Sequence, residues 1–353
     1  FKRGVGTEIA IYSVKQIAHH YLRHGTPVYA CYMDASKAID LVNHFTLLKK
    51  ICDRGVPPVF VRLLTFWFRE QTFRIRWGDV LSRPFGVKNS VRQGSVISPH
   101  LFALYLDDLS ILLTDSNVGC TIGNKIVNHF CYADDVILLT TSIRALKILL
   151  KICEKFACDH DLIFNPTKTV CQIFSDRTFD DSMPLVKLSG KTLLWKDTVR
   201  YLGYDINCRK RDEEELVRRK RELYARANLI KSRFFSCSKN VKTYLFRTFF
   251  SAVYCSSVWV PWRKQLLSSV KVAYNDACRI VFGFGRRCSA SEMFCQCGLN
   301  DFNALQRLSA YSLLNRLANT NNTIVKSIIN SKVFVESSIS KEWKNILFNI
   351  SEV

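Results

Sequence analysis

Over residues 7–24, apolar side chains recur at Ile9, Ala10, Val14, Ile17, Ala18 and Leu22, and the pattern stops at Gly25 and Pro27. That period predicts an amphipathic helix with a glycine–proline break behind it. Residues 28–33 are a short apolar run, read as a strand that delivers Asp34 at its end. Lys37 and Asp40 follow in a turn, and Leu47, Leu48 and Ile51 begin the apolar face of a second helix that stops near Gly55. Residues 58–68 predict a third helix, and residues 72–77 and 80–87 alternate around Gly78-Asp79 as a hairpin does. After a loop at Gln93-Gly94-Ser95, Ser98-Pro99 offers an N-cap and a first-turn proline for a helix reaching about Leu113. Residues 121–122 and 125–132 pair around Gly123-Asn124.

The run from Phe130 to Leu139 then places Ala133-Asp134-Asp135 between two strongly apolar arms. Val, Ile, Phe and Tyr favour strands, so the centre reads as a tight turn with both acids at its tip. Burying two like charges is costly unless cations or donors satisfy them. A divalent-metal site and a plain exposed turn both remain open on these residues alone.

A helix over residues 142–159, a strand over 170–174, a hairpin at Ser189-Gly190 and a strand over 199–205 come next, and from Asp212 the pattern is helical almost to the end. The order is mixed α+β first and all-α second, with a boundary near Cys208. In the helix predicted for residues 212–234, Leu216, Leu223, Ala227, Ile230 and Phe234 make an apolar stripe. Arg219, Arg226 and Arg233 recur along another face, a row suited to tracking phosphates, and Asp212 to Glu215 complement the helix dipole. Residues 244–262 and 270–284 read as buried helices and 305–317 as an amphipathic one.

Charge changes this picture more than composition does. Across 353 residues, 51 Lys and Arg stand against 30 Asp and Glu, a net +21 that points to a polyanion, nucleic acid ahead of a membrane surface. The longest uncharged run, residues 248–262, is too short for a membrane span. The 14 cysteines never form Cys-x-x-Cys, which argues for an intracellular, reducing compartment, nucleus or cytoplasm, rather than a disulfide framework. Only Cys288, Cys295 and Cys297 cluster, and structural thiols or a three-cysteine metal site both fit them. Asp107-Asp108 falls inside a predicted helix and is read as structural.

Asp34 ends one strand as the Asp-Asp pair ends another. If those strands are neighbours in one antiparallel sheet, three carboxylates converge at one edge. Three hard oxygen donors suit Mg²⁺, and such a cluster in a basic protein is a candidate for phosphoryl or nucleotidyl transfer.

Tyr132-Ala133-Asp134-Asp135 resembles the catalytic tetrad of reverse transcriptases. Met33-Asp34-Ala35-Ser36-Lys37-Ala38-Ile39-Asp40 is similar to the first catalytic motif of the non-LTR (LINE-type, jockey-like) retrotransposon polymerases. Arg92-Gln93-Gly94-Ser95-Val96-Ile97-Ser98-Pro99 resembles their Gln-Gly loop and following helix, and Asn165-Pro166-Thr167-Lys168-Thr169 and Tyr201-Leu202-Gly203 resemble the next two motifs in order. Viral RNA-dependent RNA polymerases share this logic but typically carry Gly-Asp-Asp where Ala133-Asp134-Asp135 stands here.

The resemblance implies a right-hand polymerase: partial fingers and a palm with an antiparallel sheet over residues 1–208, then a helical thumb and C-terminal extension over residues 209–353. It implies an RNA template, a DNA primer and dNTPs as partners, no membrane, and two Mg²⁺ ions with Mn²⁺ as substitute. Asp34 and Asp134 would be the principal metal ligands, with Asp135 as third acid and Lys168 near the triphosphate. Gln93, Gly94 and Ser95 would line the pocket for template and incoming nucleotide, Tyr201, Leu202 and Gly203 would form the primer grip, and Arg219, Arg226 and Arg233 would face the duplex. Two departures stand out. Ile39 occupies the place of the family's usual aromatic, which predicts weaker discrimination against ribonucleotides. The chain opens at Phe1, in what resembles mid-fingers, as expected of a truncated copy, so a catalytically inactive nucleic-acid-binding relic is the alternative.

Overall fold

In a computed structural model that describes residues 6–35, 38–175, 183–209, 212–250, 254–259, 264–335 and 337–348, the expected alternation of elements is present. Helix α1 (Thr7–Arg23) ends in a Schellman arrangement, with Gly25 at φ 69° and the Thr26 amide donating to the Tyr21 carbonyl at 2.9 Å. Strand β1 (Val28–Asp34) follows, then α2 (His44–Asp53), capped by the Asn43 side chain, and α3 (Pro58–Glu70), entered through proline at its first position. The predicted hairpin forms as two short ladders, β2 (Thr72–Phe73) with β5 (Phe85–Gly86) and β3 (Arg76–Trp77) with β4 (Val80–Leu81). Lys37 and residues 1–5 lie outside the described residues.

Helix α4 (Ser98–Asp115) corrects one expectation, because Ser98 is its first helical residue and Ile97 its N-cap. The Ser98 hydroxyl instead donates to the Arg92 carbonyl at 2.6 Å and closes the Gln93-Gly94 loop. Beyond it lie β6 (Cys120–Ile122) and β7 (Lys125–Val127), then β8 (His129–Tyr132) and β9 (Asp135–Thr140). Helix α5 (Ile143–Asp159) is capped by Ser142, whose hydroxyl accepts from the Ala145 amide at 3.2 Å. Next come β10 (Val170–Phe174), the hairpin β11 (Lys187–Leu188) and β12 (Lys191–Thr192), and β13 (Leu194–Trp195).

The five-stranded sheet has the order β13-β10-β1-β9-β8. Strand β9 runs antiparallel to both β1 and β8, and β10 with β13 is parallel. Side chains alternate across it. Cys31, Met33, Val136 and Leu138 join a core with Leu101, Phe102 and Tyr105 of α4 and Leu146, Leu149 and Leu150 of α5. Tyr32, Asp34, Asp135 and Ile137 therefore share the opposite face. Asp107 and Asp108, on α4, bind Arg54 at 2.8 and 3.3 Å, and Asp108 also binds Lys50 at 2.7 Å, the structural role read for them.

Residues 199–205 are a hairpin rather than one strand, with β14 (Thr198–Tyr201) and β15 (Tyr204–Asn207) joined by Leu202-Gly203. Helix α6 (Glu213–Arg233) buries Leu216, Leu223, Ala227 and Ile230 as its stripe predicts and packs along α8 (Lys264–Phe282). Between them, α7 (Lys239–Phe250) stops well before the end expected for the 244–262 helix. A short 3₁₀ turn at Ser256–Val258 follows, entered by Cys255 in the left-handed region at φ 58°. The remaining helices are α9 (Ala290–Cys297), α10 (Phe302–Ala318), α11 (Thr323–Ile329), α12 (Lys332–Val335) and α13 (Ser338–Phe348).

The packing falls into two units. One holds residues 27–173 and 183–196, the other residues 6–26, 174–175 and 197–348, so α1 and the β14–β15 hairpin pack within the second although both precede residue 208. There the Arg316 guanidinium pairs with Glu8, and Tyr12 stacks on Trp343 with centroids 5.7 Å apart. All 14 cysteines are free thiols, and among the described residues no helix is long and apolar enough to cross a membrane.

Candidate active site

Asp34 is the last residue of β1, and the antiparallel register sets it directly opposite Asp135 on β9. Residues so paired carry their side chains on one face with Cβ atoms roughly 5 Å apart, where like charges repel. The β8–β9 turn is tighter than the sequence suggests. Tyr132 pairs with Asp135, leaving only Ala133 and Asp134 at the tip, with Ala133 in the left-handed region at φ 53°. Asp134 alone is therefore the exposed acid of the tip, and Asp135 sits half-buried on the ladder. Burial, then the charges of Asp134 and Asp34, push the Asp135 carboxyl up to about 6.

A second loop meets this edge. The Asn165 amide donates to the Asp34 carbonyl at 2.9 Å, and the Asp34 amide donates to the Thr169 hydroxyl at 3.3 Å. The Asn165 side chain folds the loop on itself, accepting from the Thr167 amide at 2.9 Å and from its hydroxyl at 2.7 Å. Lys168 thereby brings its ammonium to 3.8 Å from an Asp34 carboxylate oxygen. Asn165 and Thr169 belong to this motif in the sequence reading, which gives a role to Lys168 alone, although the Asn-Pro-Thr turn signal points to how the loop is held.

Gln93 and Ile39 are also brought together. The Val91 amide donates to the Ile39 carbonyl at 3.1 Å, and the Gln93 side chain donates to Asp40 at 3.3 Å. Ile39 is half-buried against the core. Gly94 stands at φ 83° with open space where a Cβ would be, so its backbone conformation is what calls for glycine. Ser95 closes a turn by donating its amide to the Arg92 carbonyl at 3.2 Å.

In the second unit, Tyr201 is buried at the end of β14, with Leu202 at φ 48° and Gly203 at φ 77° forming the turn. The arginine row requires a correction. Arg233 is exposed and Arg226 is partly so, but Arg219 is buried, bound to Glu215 at 2.6 Å and Glu222 at 2.9 Å. Acids one helical turn to either side draw its guanidinium inward. Asp212 is likewise interior, accepting from Lys15 at 2.8 Å and the Tyr204 hydroxyl at 2.7 Å.

The three acids are not gathered into a ready ligand set, and among the described residues no group of three or more His, Cys, Asp or Glu is so placed. The observed arrangement is a facing pair with a neighbour in the adjoining turn. The donors are hard oxygens, and burial together with two neighbouring carboxylates already disfavours charge on Asp135, so the set fits a divalent cation. With metal withheld, the charge on Asp135 works against folding. The folded carboxyl, near 6, keeps its proton where the unfolded one, near 3.9, has lost it, so stability falls as pH rises from about 4 to 6 and stays lower above. In EDTA, Asp135→Asn should raise Tm more at pH 8 than at pH 4; an equal gain at both would discount a cost of charge at this position.

Residues 5–206 match the family model described as reverse transcriptase (RNA-dependent DNA polymerase). The retrovirus-related Pol polyprotein from the type-2 retrotransposable element R2DM of Drosophila melanogaster is 29% identical over 137 residues, 39% of this chain and 13% of that protein. The RNA-directed DNA polymerase from the mobile element jockey of the same organism is 25% identical over 213 residues, 59% of this chain and 22% of the relative. The chain thus spans less than a quarter of the length of either. An apo telomerase structure from Candida tropicalis aligns over 92% of this chain and 56% of its own at 14% identity, with a TM-score of 0.45.

Proposed function

The chain belongs to the reverse transcriptase (RNA-dependent DNA polymerase) family, among those of non-LTR retrotransposons, and on that premise we propose that it extends a DNA primer on an RNA template. The observation that carries this reading is the facing pair Asp34 and Asp135 with Asp134 in the adjoining turn. Asp34, Asp134 and Asp135 would hold two Mg²⁺ ions, with Mn²⁺ as substitute. Bound there, the ions supply Lewis-acid activation of the primer 3′ hydroxyl and neutralise charge on the departing pyrophosphate.

The chain's own groups do the rest. Lys168, steadied by the Asn165 turn at the Asp34 edge, offers a cation to the triphosphate of the dNTP. The loop tied by Ser98 to Arg92 presents Gln93, Gly94 and Ser95 to the templating base and incoming nucleotide. Tyr201-Leu202-Gly203 presents a fixed turn to the primer terminus, and Arg226 and Arg233 meet duplex phosphates. Fourteen free thiols support a reducing compartment, nucleus or cytoplasm, as the working location.

The test is extension of a labelled DNA primer on an RNA template with dNTPs and Mg²⁺, with Asp134→Ala as control. Extension that the control lacks is the expected result. Duplex binding with no extension by either protein would favour a binding relic instead.

Ile39 bears on sugar selection. A β-branched aliphatic, half-buried against the core, leaves different space from an aromatic ring. Ribonucleotide incorporation by the native chain should exceed that of Ile39→Phe by about tenfold, a methyl-scale steric difference of about 1.4 kcal/mol. Equal incorporation by the two proteins would dismiss a role for this side chain in sugar choice.

A further inference from the structure

Arg219 is 7% exposed, an unusual seat for a residue in a row of arginines on a basic helix. Its guanidinium reaches beyond Glu215 and Glu222 and donates to the Gly203 carbonyl at 2.8 Å. Arg218 donates to the same carbonyl at 2.9 Å, while its other nitrogens bind Asp205 at 2.7 Å and Glu222 at 2.5 Å. The Leu202 carbonyl accepts from the Tyr254 hydroxyl at 2.6 Å, and the Arg219 guanidinium lies over the Tyr254 ring, 5.0 Å from its centroid. Glu215 closes the circuit by accepting from the Asp205 amide at 3.0 Å.

Three side-chain donors from α6 and the 254 segment thus converge on the two carbonyls of one two-residue turn. That turn needs help. Both its residues have positive φ, and hairpin turns of this kind favour Asn-Gly or Asp-Gly, whereas here a leucine takes the first place. Buried charge networks are weak sources of net stability compared with apolar packing. What this one supplies is a fixed turn.

We propose that Arg218, Arg219 and Tyr254 are positioning residues that hold Leu202-Gly203 in its left-handed conformation, so that helix α6 sets the surface offered to the primer 3′ end. This rests on the polymerase reading above. It also reassigns Arg219 from touching the duplex to shaping what the duplex end meets.

The test compares Arg219→Gln and the near-isosteric Tyr254→Phe with the native chain in three measurements. These are amide hydrogen exchange over residues 200–205, kcat and KM for primer extension on an RNA template, and duplex affinity against salt concentration. Exchange in the turn should quicken about tenfold and kcat should fall roughly ten- to a hundredfold, as small misplacements of reacting groups do. Duplex Kd should stay within about twofold, with an unchanged salt slope, because no phosphate contact is lost. A shallower salt slope in Arg219→Gln would mean that Arg219 contacts phosphate, and the proposal falls. Unchanged exchange and unchanged kcat in Tyr254→Phe would overturn it too, since the turn would then be set by its own sequence. If the native chain extends no primer, the polymerase reading fails, and the exchange measurement still decides whether these side chains hold the turn.

Discussion

Asp134→Asn is expected to lower primer extension by at least about a thousandfold, because on the proposed reading it loses a metal ligand and with it several kcal/mol of transition-state stabilisation. The same change should leave thermal stability within about 0.5 kcal/mol, since Asp134 stands exposed in a two-residue turn. The near-isosteric amide keeps the shape of the side chain and removes only its charge. Single-turnover extension with saturating dNTP, set beside a thermal melt, separates the two effects. Extension within tenfold of the native chain would take Asp134 out of the chemistry, and a collapsed melt would make it structural.

Gly119→Ala should destabilise the first unit by about 3–5 kcal/mol. Gly119 stands at φ 132°, and a Cβ there would lie 2.3 Å from the Asn128 Cβ and 3.1 Å from the Leu139 carbonyl. Neither neighbour can yield easily. The Asn128 amide group donates to the Leu113 carbonyl at 2.6 Å and the Val118 carbonyl at 2.8 Å, and its own carbonyl accepts from the Leu139 amide at 2.8 Å. This clamp sits at the far end of the hairpin that carries Asp134. Tm should fall by about 10 °C on the usual scaling for a domain of this size, as measured by circular dichroism. A fall of less than about 2 °C would show that the clamp relaxes.

The sheet and most helices were legible because apolar runs and caps are local signals. The strand at residues 170–174 and the helix beginning near Ser142 lie where the pattern puts them. Register was harder to read. Ala133-Asp134-Asp135 suits a two- or a three-residue tip equally, and it is the pairing of Asp135 with Tyr132 and with Asp34 that puts it on the ladder. Arg219 was misread because a seven-residue recurrence marks a helix face without saying what covers it. Glu215 and Glu222, four before and three after, carried the missing signal. Likewise, Lys168 could be placed in a motif but not beside Asp34, since that contact spans more than a hundred residues of chain.

Helix α1 buries Ile9, Ile11, Val14 and Ile17, and packs with α10, α11 and α12, which are synthesised long after it. At about 5–20 residues per second, α1 waits tens of seconds for these partners. The packing around α1 can close only after α10, α11 and α12 have emerged, whereas the Asp34–Asp135 ladder is complete once its second strand has emerged. During synthesis the acids are therefore assembled well before the turn that would meet the primer. A nascent chain stalled between the two would expose an apolar helix to chaperones.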